Sequence, residues 1–407
     1  MTLGHRMHRA VVAAATLSLI FFCGCNSGGT WYRGNTHTHS LWSDGDAAPE
    51  MVVAWYKENG YDWLAITDHD VLLRGERWFT IAEGGRLSNA RMNELREAFG
   101  NDWVVTRDSG GISQMRLKTL DDLRAHFEEP GKFLLIEGEE ISDQSEGKPL
   151  HFNVLNPAGF IAPQGGEDIM STVEHNLAAV QQQGDSAARN MLVHINHTNW
   201  HWALNPEQLA LMHGTHLFEL YNGSTGCNNY GDSTHPGMDE VWDIANSIRL
   251  TQLDLGPLYG IANDDTHDYF DIAPHKSNPG RGWIMVRADT FSTTAVLDAI
   301  RSGDFYASTG VELRDVQRGP EEYVVKVAKE RGVTYTTQFI GTRLRHGIPG
   351  TPGIILHETS ETTAVYAYHG DEIYVRARVI SSREQANPAA GEEAPEYAWT
   401  QPMVPQR

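Results

Sequence analysis

The sequence predicts an α/β barrel followed by a small antiparallel β-domain, on three observations. Short apolar runs alternate with helical periodicities from residue 34 to about residue 313. Repeated β-α units of this kind make parallel strands with helices packed outside them. Five polar clusters each follow or end such a run: His37-Thr38-His39, Thr67-Asp68-His69-Asp70, Gly138-Glu139-Glu140, Asn196-His197 and Asp265-Thr266-His267. In a parallel barrel the C-terminal strand ends meet at one mouth, so five such clusters make one site. Beyond residue 313 strand-like runs follow one another with turns and no clear helix, the pattern of an antiparallel β-domain.

The elements follow in order. Residues 1–25 read as a lipoprotein-type signal peptide. Arg6, His8 and Arg9 are positive, and the apolar run Ala10 to Phe22 is too short to span a bilayer comfortably. The run leads to Cys25, where cleavage and lipidation of the sulfur are expected; an ordinary cleaved signal is the alternative. Either places the chain outside the cytoplasm, in the periplasm or at the cell surface, with the membrane reached only through a lipid anchor. Residues 26–33 are a tether. Gly34 to His37 is a strand, and Pro49 to Asn59 a helix with Met51, Val52, Trp55 and Tyr56 on one side and Gly60 as its C-cap. Trp63 to Thr67 is a buried strand. Asn89 to Phe99 and Leu120 to Phe127 are helices, and the polar stretch between them is a loop over the site. Strands are predicted over 133–136, 152–155, 191–195, 217–221, 258–262 and 284–286, and helices over 170–181, 206–212, 237–248 and 294–302. In the β-domain, residues 314–382, strands fall at 323–327, 334–339, 354–357, 363–368 and 373–379. Residues 383–407 carry Pro, Glu and Gln and read as loop or tail.

The 407 residues include 32 Lys and Arg against 53 Asp and Glu, a formal charge of −21. No nucleic-acid binding is expected, since that needs a basic face. Cys227 is the one cysteine left after Cys23 is removed and Cys25 lipidated, so the mature chain has no internal disulfide to rely on.

Imidazole and carboxylate are ligands for zinc, manganese and iron. His37 and His39 are two apart, so on a strand both imidazoles share a face. Asp265 and His267 repeat that spacing. Asp44, in Ser43-Asp44-Gly45, reaches the same cavity from a loop. His69 offers a ligand, and Asp68 can orient a neighbouring imidazole. Gly138 would let a metal approach the backbone. Which of Glu137, Glu139 and Glu140 turns inward is undecided by spacing, as is the choice between His194 and His197; His151 precedes a strand.

The ordered series His-x-His with Ser-Asp-Gly, Thr-Asp-His, Gly-x-Glu, His, Asn-His and Asp-x-His resembles the polymerase and histidinol phosphatase (PHP) superfamily over roughly residues 33 to 313. Gly280-Arg281-Gly282-Trp283 and the stretch from Gly303 to Gly310 resemble its carbaryl-hydrolase-like (CehA/McbA) branch, which often adds a small β-domain. The resemblance implies a distorted (β/α)7 barrel with two or three divalent ions per chain. It implies His37, His39, Glu140 and Asp265 for one ion, with Glu140 bridging to a second held by His151 and His197. Asp44, His69 and His267 would hold a third.

Such ions make hydroxide near neutral pH and stabilise attacking and leaving oxygens. The expected substrate is a small phosphoester, or alternatively a carbamate or carboxyl ester. Lys276 and Arg281 follow the fifth cluster and are either phosphate-binding cations or ordinary surface charges. Trp200, Trp202, Asn199 and Asn222 line the pocket or pack its rim. A non-catalytic metal-binding lipoprotein is the third reading, disfavoured by the complete ligand set.

Overall fold

A computed structural model describes residues 29–389 and 394–406. The signal peptide, Cys25 and the first part of the tether lie outside the described residues. The chain runs β1 (Thr30–Asn35), α1 (Pro49–Glu58), β2 (Trp63–Ile66), β3 (Trp78–Thr80), α2 (Asn89–Phe99), β4 (Thr106–Ser109), β5 (Ile112–Arg116) and α3 (Leu120–Phe127). It continues through β6 (Leu134–Ser145), β7 (Lys148–Leu155), α4 (Ile169–Ala187), β8 (Leu192–Ile195), α5 (Pro206–Ala210), β9 (Leu217–Asn222), α6 (Met238–Gln252) and β10 (Tyr259–Asn263). Then come β11 (Trp283–Ala288), α7 (Thr293–Arg301), β12 (Phe305–Ser308), β13 (Leu313–Arg318), β14 (Glu322–Val327), β15 (Tyr335–Arg345) and β16 (Ile348–Pro349). The last are β17 (Ile354–Thr359), β18 (Thr363–Ala367), β19 (Glu372–Glu384) and β20 (Pro395–Thr400).

Seven strands that carry or flank the predicted clusters lie side by side in the order β10-β9-β8-β7-β6-β2-β1. Beyond β1 and β10 the chain meets itself: Thr38 and Thr266 form a parallel bridge, and the His39 amide donates to the Thr266 carbonyl at 3.0 Å. The fold is mixed α/β, and it departs from regular β-α alternation at β7. No helix separates β6 from β7, and β7 runs antiparallel to both neighbours. The cause is local. Glu146 and Gly147 both have positive φ, 53° and 74°, which makes a two-residue hairpin turn. The predicted strand at 133–136 therefore runs on to Ser145, and His151 lies within a strand rather than before one.

The helices cover the outer faces. α1 begins with Pro49, pre-set for a first turn, and buries Val52, Val53 and Tyr56. α6 buries Trp242 against Phe218 of β9, with ring centroids 6.0 Å apart. Fully burying a large apolar side chain contributes ~1.5–3 kcal/mol, so such contacts hold the strand ends that carry the polar clusters.

Two expectations are corrected. The stretch between α2 and α3 is not wholly a loop; β4 and β5 form a hairpin about Gly110 and Gly111, and β3 pairs with β5. Residues 383–407 are not wholly tail, because β20 pairs with both β12 and β19 and joins the C-terminal strands to the main sheet. Tyr397-Ala398-Trp399-Thr400 is a good strand former, masked in sequence by the Pro and Glu around it.

Candidate metal centre

The bridge at Thr38 fixes His37 and His39 on one side of the extended chain after β1, with ring centroids 5.1 Å apart. Both are fully buried. His37 Nδ1 lies 2.6 Å from Glu219 Oε1. This turns its Nε2 toward Glu140 Oε1 at 3.3 Å and Asp265 Oδ1 at 3.2 Å. His39 Nε2 is 3.1 Å from Asp265 Oδ1 and 3.4 Å from Glu140 Oε2.

Glu140 is the hub. Its two oxygens also lie 2.9 Å from His69 Nδ1, 3.1 Å from His151 Nδ1 and 3.6 Å from His197 Nε2. Asn196 Nδ2 donates to Oε1 at 2.8 Å and fixes the carboxylate plane. Asp44 sits at the rim, its side chain 54% exposed, 3.7, 3.6 and 3.4 Å from His39, His69 and His267. Three groups result, His37/His39/Glu140, His39/Asp44/His69/His267 and His69/Glu140/His151, each with donor atoms within 4.8 Å of one another. All nine candidate ligands, Asp265 and His197 included, therefore gather at one end of the strands.

The donors fit a cation. His37 Nε2 and Glu140 Oε2 are buried without a hydrogen-bond partner among the described residues, and an orphaned buried polar atom costs ~1–3 kcal/mol. Nitrogen and carboxylate oxygen together suit zinc, manganese or iron. Burial opposes charge on Glu140, yet His69, His37 and His151 hold its carboxyl well below the usual range. Burial also opposes a proton on His37, but Asp265, Glu140 and Glu219 raise it well above its ordinary value. The same contest raises His69, through Glu140, and His267, through Asp44 and Asp265, to about 9. His39 goes the other way, to about 3, because burial is joined by the like charges of His267 and His69.

Two of the nine sit on strained backbone. His197 and Asp265 have φ of 23° and 50°. The His197 amide donates to Glu219 Oε2 at 2.7 Å and the Asp265 amide to the His37 carbonyl at 3.0 Å.

The alternatives that spacing left open are placed as follows. Glu137 pairs with Arg74, and Glu139 accepts from the Ile161 amide, so Glu140 faces the cluster. His194 Nε2 meets Thr36 Oγ1 at 3.0 Å, away from these donors. Gly138 serves the sheet rather than a metal: a Cβ there would come within 2.7 Å of Thr67 Cγ2. Asp68 contacts no imidazole through a hydrogen bond; its carboxylate accepts from the amides and hydroxyls of Ser40 and Ser43 and holds the turn between His39 and Asp44. Lys276 Nζ pairs with Asp268 at 2.9 Å. Arg281 is 2% exposed and donates to the carbonyls of Gly223, Asn387 and Ala273. The loop that carries it wraps around Asp264, which accepts from the amides of Gly280, Arg281 and Gly282.

Sequence reasoning missed Glu219, Asn196 as a donor to Glu140, and Asp264. Glu219 had a visible signal, being a lone acid inside the otherwise buried run of β9. Asn222 donates to Glu219 and Asp265 rather than to the pocket, Asn199 to Asn229, and Trp202 stacks on His235 at 4.0 Å. Trp200 does reach the site, 5.0 Å from the His197 ring. With Ser224, Thr225, Cys227 and Ser277 it walls a cavity of about 240 Å³ whose floor is the metal-type cluster.

No protein-family model and no curated protein matches the chain. Among solved structures it is similar to a two-domain protein containing a predicted PHP-like metal-dependent phosphoesterase from Bacteroides vulgatus ATCC 8482. That match has 16% identity and a TM-score of 0.43, covering 98% of this chain and 100% of the other. A second, from Bifidobacterium adolescentis ATCC 15703, is described provisionally as a metal-dependent phosphoesterase; identity is 14% and TM-score 0.27, over 57% of this chain and 87% of that one. Neither likeness is strong enough to carry residues or activity across.

Proposed function

We propose that the chain is a metal-dependent hydrolase of the PHP superfamily, acting on a small phosphoester through two or three divalent ions. The observation that carries this is Glu140, fully buried and within 3.6 Å of five imidazoles from four separate segments. In this reading the seven-strand path is a distorted (β/α)7 barrel. His37, His39, Glu140 and Asp265 hold one ion, Glu140, His151 and His197 a second, and Asp44, His69 and His267 a third. Bound ions of this class supply hydroxide near neutral pH and stabilise charge on reacting oxygens. The chain's own part is orientation: Glu219 aims His37, Asn196 aims Glu140, and Asp68 braces the turn between His39 and Asp44. Placement in the CehA/McbA branch and export through residues 1–25 belong to the same proposal.

One observation favours a second reading, a carbamate or carboxyl-ester hydrolase. Among the described residues no Lys or Arg lines the cavity, and its wall is aromatic and hydroxylic. That suits a neutral substrate as well as a phosphate neutralised by metal. The test is a panel of p-nitrophenyl phosphate, bis-p-nitrophenyl phosphate and 1-naphthyl N-methylcarbamate with metal-loaded protein. Phosphoester turnover abolished by chelator is the expected result. Carbamate turnover alone selects the second reading, and turnover of none sinks both.

A further inference from the structure

A second cavity lies at the opposite ends of the same strands. It opens where β9 and β10 begin, has a volume of about 390 Å³, and is walled by His213, His216, Arg249, Tyr259 and Arg301 among others. β9 runs from this cavity toward the metal-type cluster, and its third residue, Glu219, already meets His37. In a chain of net charge −21 this wall contains two arginines, two histidines and no Asp or Glu.

Arg249 is the anomaly. It is 4% exposed. Its Nε donates to the Gly256 carbonyl at 2.8 Å, and Nη1 to the carbonyls of Ala210 and Met212 at 3.0 and 2.8 Å. These acceptors are neutral, and no ion pair or hydrogen bond of Nη2 is found among the described residues. A guanidinium stays charged in proteins, and a buried charge is costly unless paired. Arg301 adds a second guanidinium. It donates to the Met191 carbonyl at 2.6 Å and pairs with Asp298, which is itself 58% exposed. His216 stands between them, with Nε2 against the Arg301 carbonyl at 2.8 Å. Burial lowers its proton affinity, the Arg301 carbonyl opposes this, and the charges of Arg249 and Arg301 lower it further, so an anion that offsets the two arginines would let Nδ1 take up a proton and donate.

We propose that this cavity binds a tetrahedral oxyanion, free phosphate or the phosphoryl group of a small ester, between Arg249, Arg301 and His216. The inference does not rest on the hydrolase reading. A phosphate oxygen here supplies the acceptor that Arg249 Nη2 lacks, and charge-assisted hydrogen bonds are the strong ones.

The test is calorimetric titration of the chelator-treated full chain with inorganic phosphate, and separately with glycerol phosphate. Chelation keeps the metal-type cluster from contributing. One anion per chain is expected, with binding at least about tenfold weaker in Arg301→Gln and His216→Gln and unchanged in His39→Ala. Tighter binding of glycerol phosphate identifies an ester as the ligand; tighter binding of inorganic phosphate identifies the free ion. In the unmutated chain, phosphate should also slow modification of Arg301 by phenylglyoxal, which decides the matter if a variant fails to fold. No binding to the stripped chain, or equal loss in all three variants without protection of Arg301, overturns the proposal.

Discussion

Two clusters of buried charge in this chain are built on opposite plans. At the seam between α6 and β19, Arg376 meets Asp243 through Nε at 2.8 Å and Nη2 at 2.6 Å, and Asp239 at 2.9 Å. Arg378 pairs with Asp239 at 2.9 Å, and Tyr374 and Trp399 donate to the same two carboxylates. Two aspartates stand against two arginines. At the strand ends, Asp44, Glu140, Glu219 and Asp265 stand against imidazoles alone. Both clusters contain atoms without a well-aligned partner, Arg376 Nη1 and Asp239 Oδ1 in the first and His37 Nε2 and Glu140 Oε2 in the second. Charge balance is what separates them. The seam cancels itself and fixes shape, whereas the strand-end cluster holds surplus negative charge aimed inward, which suits a cation from outside.

The sharpest way to break that contrast is to mutate one hub in each. Glu140→Ala should cost at least one metal ion per chain and more than ~100-fold in activity, since loss of a mere supporting partner already costs ~10–100-fold. Arg376→Ala leaves Asp243 without a cation and should cost ~3–5 kcal/mol of stability, with metal content per folded chain unchanged. Metal analysis and urea denaturation of both variants read the two effects. Metal loss in Arg376→Ala, or full metal and activity in Glu140→Ala, would undo the distinction.

A smaller effect separates hub from support. Glu219→Gln keeps the shape but weakens the hydrogen bond to His37 Nδ1, and should lower metal affinity ~10–100-fold. His194→Ala, by contrast, should leave metal affinity unchanged while lowering stability, because His194 packs against Thr36. Titration of chelator-stripped protein with a metal of known affinity measures both; equal effects would mean that the two histidine environments are misassigned.

The surplus charge also makes a pH prediction. Without metal, His69 and His267 hold protons up to about pH 9, against 6.5 for an ordinary histidine. Their folded values are raised, so the stability they contribute is fully present below pH 6.5 and fades as pH climbs through 9. The metal-free chain should therefore lose thermal stability over that window. Metal must displace those protons, so its affinity should rise over the same window, by about tenfold per pH unit for each proton released. Proton release on metal addition, measured in a weakly buffered solution at pH 7.5, checks the sign; proton uptake would refute it.

The strand-end cluster was partly legible in sequence because four of its nine candidate ligands stand in pairs at strand ends, whereas spacing left Glu140 and His197 open and only the family resemblance named them. His37 with His39 and Asp265 with His267 betray themselves by alternation alone. What could not be read was the partner of each group. Asp68 lies one residue from His69, yet its carboxylate serves Ser40 and Ser43, and a spacing rule cannot tell an imidazole neighbour from a turn. Glu219 is remote in sequence from His37, and only the pairing of β8 with β9 and β10 brings it near. Arg281 was open between a phosphate-binding cation and a surface charge, because the loop that buries it depends on Asp264, 17 positions earlier. The hairpin at Glu146-Gly147 hid for a different reason: the apolar runs at 133–136 and 152–155 mark only the outer parts of β6 and β7, and the polar residues between them, Glu140 and His151 included, hide their extension.

The last expected effect is the smallest, and it tests whether the loop after the fifth cluster reaches substrate. Lys276 Nζ is engaged by Asp268, and its side chain is 34% exposed. An exposed pair of this kind is screened by solvent, so Lys276→Ala should barely move stability. It does not line the cavity, so kcat/KM on a phosphoester should stay within about threefold, where loss of a direct charge-assisted hydrogen bond of ~1.5–3 kcal/mol would cost tenfold or more. Arg281→Ala should differ in kind. It removes donors to three carbonyls that tie the strand-end loop to the segment near Asn387, so it should lower stability and depress phosphoester and aryl-ester turnover alike. Parallel kinetics of both variants on one phosphoester and one aryl ester decide it. A tenfold loss confined to the phosphoester in Lys276→Ala would show that Asp268 releases the lysine when an anion arrives. The strand-end cluster would then recruit positive charge from the chain as well as from metal, and its contrast with the self-cancelling seam would narrow.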